Sequence, residues 1–162
     1  VVTESRGDMV EEGRRLAAIH PNIVVKLPMG AEALAATSAL AEDDISVNMT
    51  LCFTAPQALL ASAAGAAFVS PFVGRFDDIG QDGLEVLREV VEALQPSMYD
   101  TEVLAASIRN PVHVTEAARM GADIATIPPK VFYQMLQHPL TAKGIAGFTE
   151  DFETRRARGA TA

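Results

Sequence analysis

Ile45-Ser46-Val47-Asn48-Met49-Thr50-Leu51-Cys52-Phe53 is rich in β-branched and apolar residues and changes polarity at nearly every step. Successive side chains of a β-strand point to opposite faces. Ile45, Val47, Met49 and Leu51 are therefore expected on one face, with Ser46, Asn48 and Thr50 on the other. A central strand of a doubly wound sheet has helices on both faces and reads apolar throughout. A strand of a (β/α)8 barrel packs helices only on its outside and can turn polar groups inward near its carboxyl end. The alternation favours the barrel.

Outward from this stretch, short apolar runs at Val1–Thr3, Ile23–Pro28, Ala67–Phe72, Glu102–Ser107 and Asp123–Pro128 also read as strands. Helical patterns lie near 7–19, 31–41, 55–64, 81–95, 111–120 and 129–137, with a C-terminal helix at about 143–158. Pro56, Pro111 and Pro129 fall at helix starts, where a missing N–H costs little. Gly65 and Gly121 fall where a helix hands over to the next strand. Repeated strand–helix units require a parallel sheet. No Pro/Gly/Ser-rich linker or charge block divides the chain, so residues 1–162 read as a single domain. The pattern supplies six of the eight strand–helix units of a closed barrel, and the opening Val1-Val2-Thr3 lacks a Met. The expectation is a partial barrel holding the third to eighth units.

Of the 162 residues, 49% are hydrophobic and 21% charged, enough for a packed core. The formal net charge of −8 argues against a nucleic-acid partner, whose binder would carry a basic footprint. A single cysteine, Cys52, excludes a disulfide framework and suits a reducing compartment. No apolar run approaches the length of a membrane span, so no membrane partner and a cytoplasmic location are expected.

Lys26 stands out in Asn22-Ile23-Val24-Val25-Lys26-Leu27-Pro28, an otherwise apolar strand. Such a lysine either snorkels from the strand end to water or is held in a water-poor barrel mouth. In the second case desolvation favours the free amine that attacks a carbonyl. Other strand ends add polar groups: Asn48 and Thr50, then Ser70 followed by Phe72 and Arg75, then Ser107 and Arg109 of matching parity. Two arginines at neighbouring strand ends make an anion clamp, because guanidinium binds phosphate oxygens in pairs. All these groups sit at carboxyl ends of strands, the face on which barrel enzymes carry their active sites.

Four stretches resemble successive strand motifs of the transaldolases: Val24-Val25-Lys26-Leu27-Pro28, Asn48-Met49-Thr50-Leu51-Cys52-Phe53, Ser70-Pro71-Phe72-Val73-Gly74-Arg75 and Ala105-Ala106-Ser107-Ile108-Arg109-Asn110. The resemblance is closest to the short microbial branch that includes fructose-6-phosphate aldolases, and it runs from Val1 to about Glu153. It implies a TIM barrel of class I aldolase type. Lys26 then falls on the Schiff-base lysine, Arg75 and Arg109 on phosphate-binding positions, and Asn48, Thr50, Ser70, Phe72 and Ser107 on substrate-contacting positions. The implied reaction moves a dihydroxyacetone unit from sedoheptulose 7-phosphate or fructose 6-phosphate to an aldose phosphate in the pentose phosphate pathway. It needs no metal or organic cofactor. The resemblance further implies a homo-oligomer, a pentamer or decamer, with the C-terminal helix near Phe148–Phe152 reaching a neighbour.

Two departures accompany it. Met29-Gly30 follows Pro28 where the family has any residue and then a hydroxyl residue. The aspartate, asparagine and acidic or amide residue that the family draws from its first three strands would all precede Val1. Two alternatives stand beside the transferase. One is a fructose-6-phosphate aldolase releasing dihydroxyacetone, in which Phe72 would be expected as Tyr; the other is a non-catalytic barrel fragment that acts only in assembly. The remaining candidates read more plainly. His20, His113 and His138 lack metal-ligand spacing and read as helix-end or surface residues. Cys52 reads as a small core residue, Asp77-Asp78 as orienting the loop after Arg75, and Arg155–Arg158 as a charged helix end.

Overall fold

Four helices begin at a side chain that accepts from the backbone, which is why they begin where they do. Ser5 Oγ accepts from the Asp8 N–H at 3.2 Å and starts α1 (Arg6–Ala17). Thr54 Oγ1 accepts from Gln57 N–H at 3.3 Å and starts α3 (Ala55–Ala63). Asp82 Oδ1 accepts from Leu84 and Glu85 ahead of α5 (Gly83–Leu94), and Asn110 Oδ1 accepts from His113 ahead of α6 (Pro111–Met120). Each such cap is worth about 1 kcal/mol. Gly121 closes α6 in the left-handed conformation, at φ 90°, which a Cβ would oppose. The remaining helices are α2 (Ala31–Glu42), α4 (Val73–Asp77), α7 (Pro129–Leu136) and α8 (Pro139–Gly159).

The structure, a computed structural model, describes residue 1, residues 3–96 and residues 100–159. The chain divides into two compact units, Val1–Ile127 and Pro128–Ala162. The first holds β1 (Val25–Pro28), β2 (Val47–Cys52), β3 (Phe68–Pro71), β4 (Glu102–Ala105) and β5 (Ile124–Ala125) together with α1–α6; the second holds α7 and α8. No helix among the described residues is long and apolar enough to cross a membrane.

The five strands pair in the order β1-β2-β3-β4-β5, every pair parallel. A doubly wound sheet reverses its strand order at a switch point, and among the described residues this sheet shows none. Strictly sequential parallel order, with a helix after each strand, is the winding of a (β/α)8 barrel, of which this chain forms a part. Val25, Leu27, Val47, Met49 and Val69 are at most 1% exposed, on strands packed by α2, α3 and α5. Ala33, Ala36, Ala58 and Ala61 are likewise buried, and their small side chains let those helices approach the sheet closely.

The structure departs from the sequence reading in four places. Val1 and Thr3 carry no strand, and Val2 lies outside the described residues; the Val1 nitrogen donates to the Lys26 carbonyl at 3.3 Å. Leu51 does not share the buried face of Val47 and Met49. It adopts φ 56° at a register shift between Thr50 and Cys52 and stands 36% exposed, the unpaired residue of a bulge. Helix α4 was not expected, and α8 begins at Pro139, ahead of the expected 143.

Candidate active site on the carboxyl ends of the strands

Parallel register sets the site. Lys26 pairs with Asn48, and Asn48 with Phe68; one level higher Pro28 pairs with Thr50, and Thr50 with Ser70. Lys26, Asn48, Thr50 and Ser70 therefore share one face at neighbouring levels, as the alternation in β2 implied. The Ser70 hydroxyl, fully buried, donates to Asn48 Oδ1 at 2.6 Å. That bond occupies the acceptor end of the carboxamide and leaves Nδ2 as the end that donates. Thr50 Oγ1 is buried with no hydrogen-bond partner among the described residues. An unsatisfied hydroxyl in such a place is an open hydrogen-bonding position on the face that also carries the lysine.

Lys26 itself is exposed, on the first of the five described strands. Its Nζ lies 5.9 Å from the centroid of the Phe72 ring, and Arg75 Cζ lies 5.4 Å from the same centroid. A cation over an exposed aromatic ring gains about 0.5–1 kcal/mol. Phe72 thus gathers Lys26 and Arg75 without neutralising either. Among the described residues neither Lys26 nor Arg75 makes an ion pair. The ring is braced edge-on by Phe53 at 6.1 Å, and Phe53 meets Phe76 at 5.5 Å.

Ser107 and Arg109 are placed against α4 rather than by strand parity. Ser107 has φ 60°, so the alternation that paired it with Arg109 ends before it. The Val73 N–H donates to Ala106 O at 3.0 Å and the Gly74 N–H to Ser107 O at 3.1 Å, which moors the first turn of α4 against the end of β4. Arg75 leaves that turn, and Arg109 lies just beyond Ser107. Unlike Arg75, Arg109 is paired: its Nη2 donates to Asp78 Oδ2 at 2.7 Å.

His113 lies in the first turn of α6, a helix end as expected. It is 6% exposed, not a surface residue, and its Nε2 faces Asp77 Oδ2 at 3.2 Å. Its partner sits at the end of another helix, α4, so no local pattern in the sequence announces it. Cys52 is fully buried, and burial pushes its thiol from 9.0 up to about 12, which removes it as a nucleophile at neutral pH. His20 and His138 are exposed, each accepting from a backbone N–H two residues on, at 3.1 Å.

Sequential parallel winding defines a barrel-type α/β protein, and the polar, lysine-bearing face at its strand ends is its candidate site. The sequence profile described as transaldolase/fructose-6-phosphate aldolase matches residues 1–159, and the chain belongs to that family. It is 62% identical over 145 residues to a probable transaldolase of Thermus thermophilus, covering 90% of this chain and 65% of that protein. It is 56% identical over 153 residues to a probable transaldolase of Moorella thermoacetica, covering 94% and 71%. A probable transaldolase 1 of Listeria monocytogenes matches at 53% over 156 residues, covering 96% and 73%. The chain spans about two thirds of the length of these curated relatives. Among solved structures, a mandelate oxidase variant superposes with a TM-score of 0.57 at 17% identity over 76% of this chain and 46% of that one, a likeness of fold alone.

Proposed function

We propose that the protein is a transaldolase that works through a Schiff base on Lys26. The observation that carries this reading is Lys26 in register with Asn48 and gathered with Arg75 on the Phe72 ring, in a chain whose relatives are named probable transaldolases. The Lys26 amine attacks the C2 carbonyl of a ketose phosphate, and loss of water leaves an iminium. A general base, the part the family's aspartate would play, takes the C4 hydroxyl proton as the C3–C4 bond breaks and later returns it to the acceptor's new alkoxide; the bond's electron pair flows into the iminium, giving an enamine and a free aldose phosphate. The enamine carbon then adds to an acceptor aldose phosphate, and water releases the new ketose and restores the lysine.

Asn48, Thr50, Ser70 and Ser107 supply hydrogen bonds to the sugar hydroxyls. Arg75 and Arg109 anchor the phosphate, so that binding energy remote from the reacting carbons becomes orientation at them. Phe72 carries no hydroxyl beside Lys26, which favours transfer over release of free dihydroxyacetone. Fructose 6-phosphate or sedoheptulose 7-phosphate is the donor, which assigns the reaction to the pentose phosphate pathway in the cytoplasm. Self-association accompanies it, with α8 as the contact element, since Ile145, Phe148 and Phe152 stand 60–75% exposed along one helix face.

The test is reductive trapping. Fructose 6-phosphate with borohydride is expected to leave a stable adduct that peptide mass spectrometry maps to Lys26. Lys26→Arg is expected to abolish trapping and transfer, because guanidinium stays protonated. An adduct found only on Lys130 or Lys143 overturns the assignment.

A further inference from the structure

We propose that His113, held by Asp77, is a positioning residue that places Arg109 for anion binding. The inference rests on the reading of Arg75 and Arg109 as phosphate-binding groups and adds what holds them in place.

His113 is the third residue of α6 and is buried. Its Nδ1 accepts from the Arg109 backbone N–H at 3.3 Å, while its Nε2 faces Asp77 Oδ2 at 3.2 Å. A ring nitrogen that accepts carries no proton, so the proton is on Nε2 and points at Asp77. The other oxygen of Asp77 accepts from the Gly83 N–H at 3.3 Å, which fixes the carboxylate between the end of α4 and the start of α5. The next residue, Asp78, takes the Arg109 guanidinium at 2.7 Å. Consecutive carboxylates at the end of α4 thus hold Arg109 at both ends, its backbone through His113 and its side chain directly. Because α4 also carries Arg75, both guanidinium groups take their position from one short helix.

Capping does not account for the ring. Asn110 already caps α6 by accepting from the His113 N–H at 3.0 Å, and the Arg109 N–H lies outside the helix. Imidazole suits the task because its two nitrogens point apart, one accepting and one donating, on a rigid ring.

Two near-isosteric variants separate the two contacts. His113→Asn keeps an acceptor near the Nδ1 position and drops the link to Asp77, whereas His113→Gln reaches toward Asp77 and drops the Arg109 N–H. Each is expected to weaken binding of orthophosphate, followed by calorimetry, about three- to tenfold. The same factor is expected in KM for a phosphorylated ketose, with a smaller change in kcat. A long-range nitrogen NMR spectrum of the wild-type protein, which requires no variant to fold, is expected to show the Nε2–H tautomer at His113. Wild-type affinity in both variants, equal losses in kcat and KM, or an Nδ1–H tautomer overturns the proposal. A wild-type protein that does not bind orthophosphate overturns the phosphate reading itself, and this inference with it.

Discussion

At Cys52 burial alone decides the chemistry, since the thiol has no charged neighbour to offset the loss of water and is pushed from 9.0 to about 12. At pH 9 only about one native thiol in a thousand is then ionised. Iodoacetamide at that pH is expected to leave Cys52 unmodified in the native protein and to alkylate it promptly in guanidinium, as intact mass will show. A raised thiol also ties stability to pH. The unfolded chain releases its thiol proton first, so this contribution is whole below pH 9.0 and is lost as pH rises toward 12. Cys52→Ala is expected to remove that part of the alkaline decline in urea midpoint. Alternation in the sequence was enough to place Asn48 and Thr50 on one face, because strand period is strict, whereas the inter-strand register is what brings Lys26 and Ser70 to that face. It could not place Ser107, whose left-handed backbone ends the alternation, nor His113, whose partner carboxylate lies at the end of another helix.

Among the elements, α4 was the one the sequence concealed. Val73-Gly74-Arg75-Phe76-Asp77 is too short to show a helical period, and it forms because its first turn is moored to the end of β4. Gly74 makes that mooring possible. A Cβ there would lie 2.6 Å from Arg109 Cγ and closer still to the Ser107 carbonyl, which is backbone and cannot swing aside. Gly74→Ala is therefore expected to lower stability by about 1–3 kcal/mol in urea denaturation and to weaken phosphate binding. Gly7→Ala, with open space around the new carbon on α1, is expected to raise stability by up to about 1 kcal/mol. The longer elements were legible from period, proline and glycine, since α2, α3, α6 and α7 begin within a residue of their expected starts. The strands are shorter than the apolar runs that announce them, because pairing with the neighbouring strand, not hydrophobicity, sets where a ladder stops.

For the whole molecule, composition and repeated strand–helix spacing were enough to indicate a barrel-type sheet, while assembly lies beyond what those patterns encode. If α8 joins one copy to another, Phe148→Glu is expected to lower the particle mass measured by light scattering, whereas a wild-type monomer would overturn the self-association reading. The sequential strand order has a kinetic consequence as well. Every strand pairs with the next along the chain, so the loops to be closed are short; Asn48 and Ser70, bonded across β2 and β3, are only 22 positions apart. Closure cost grows slowly with loop length, so no strand pair must wait for a distant partner. Folding among these described strands can nucleate at any neighbouring pair and spread from it to the next, one strand–helix unit at a time.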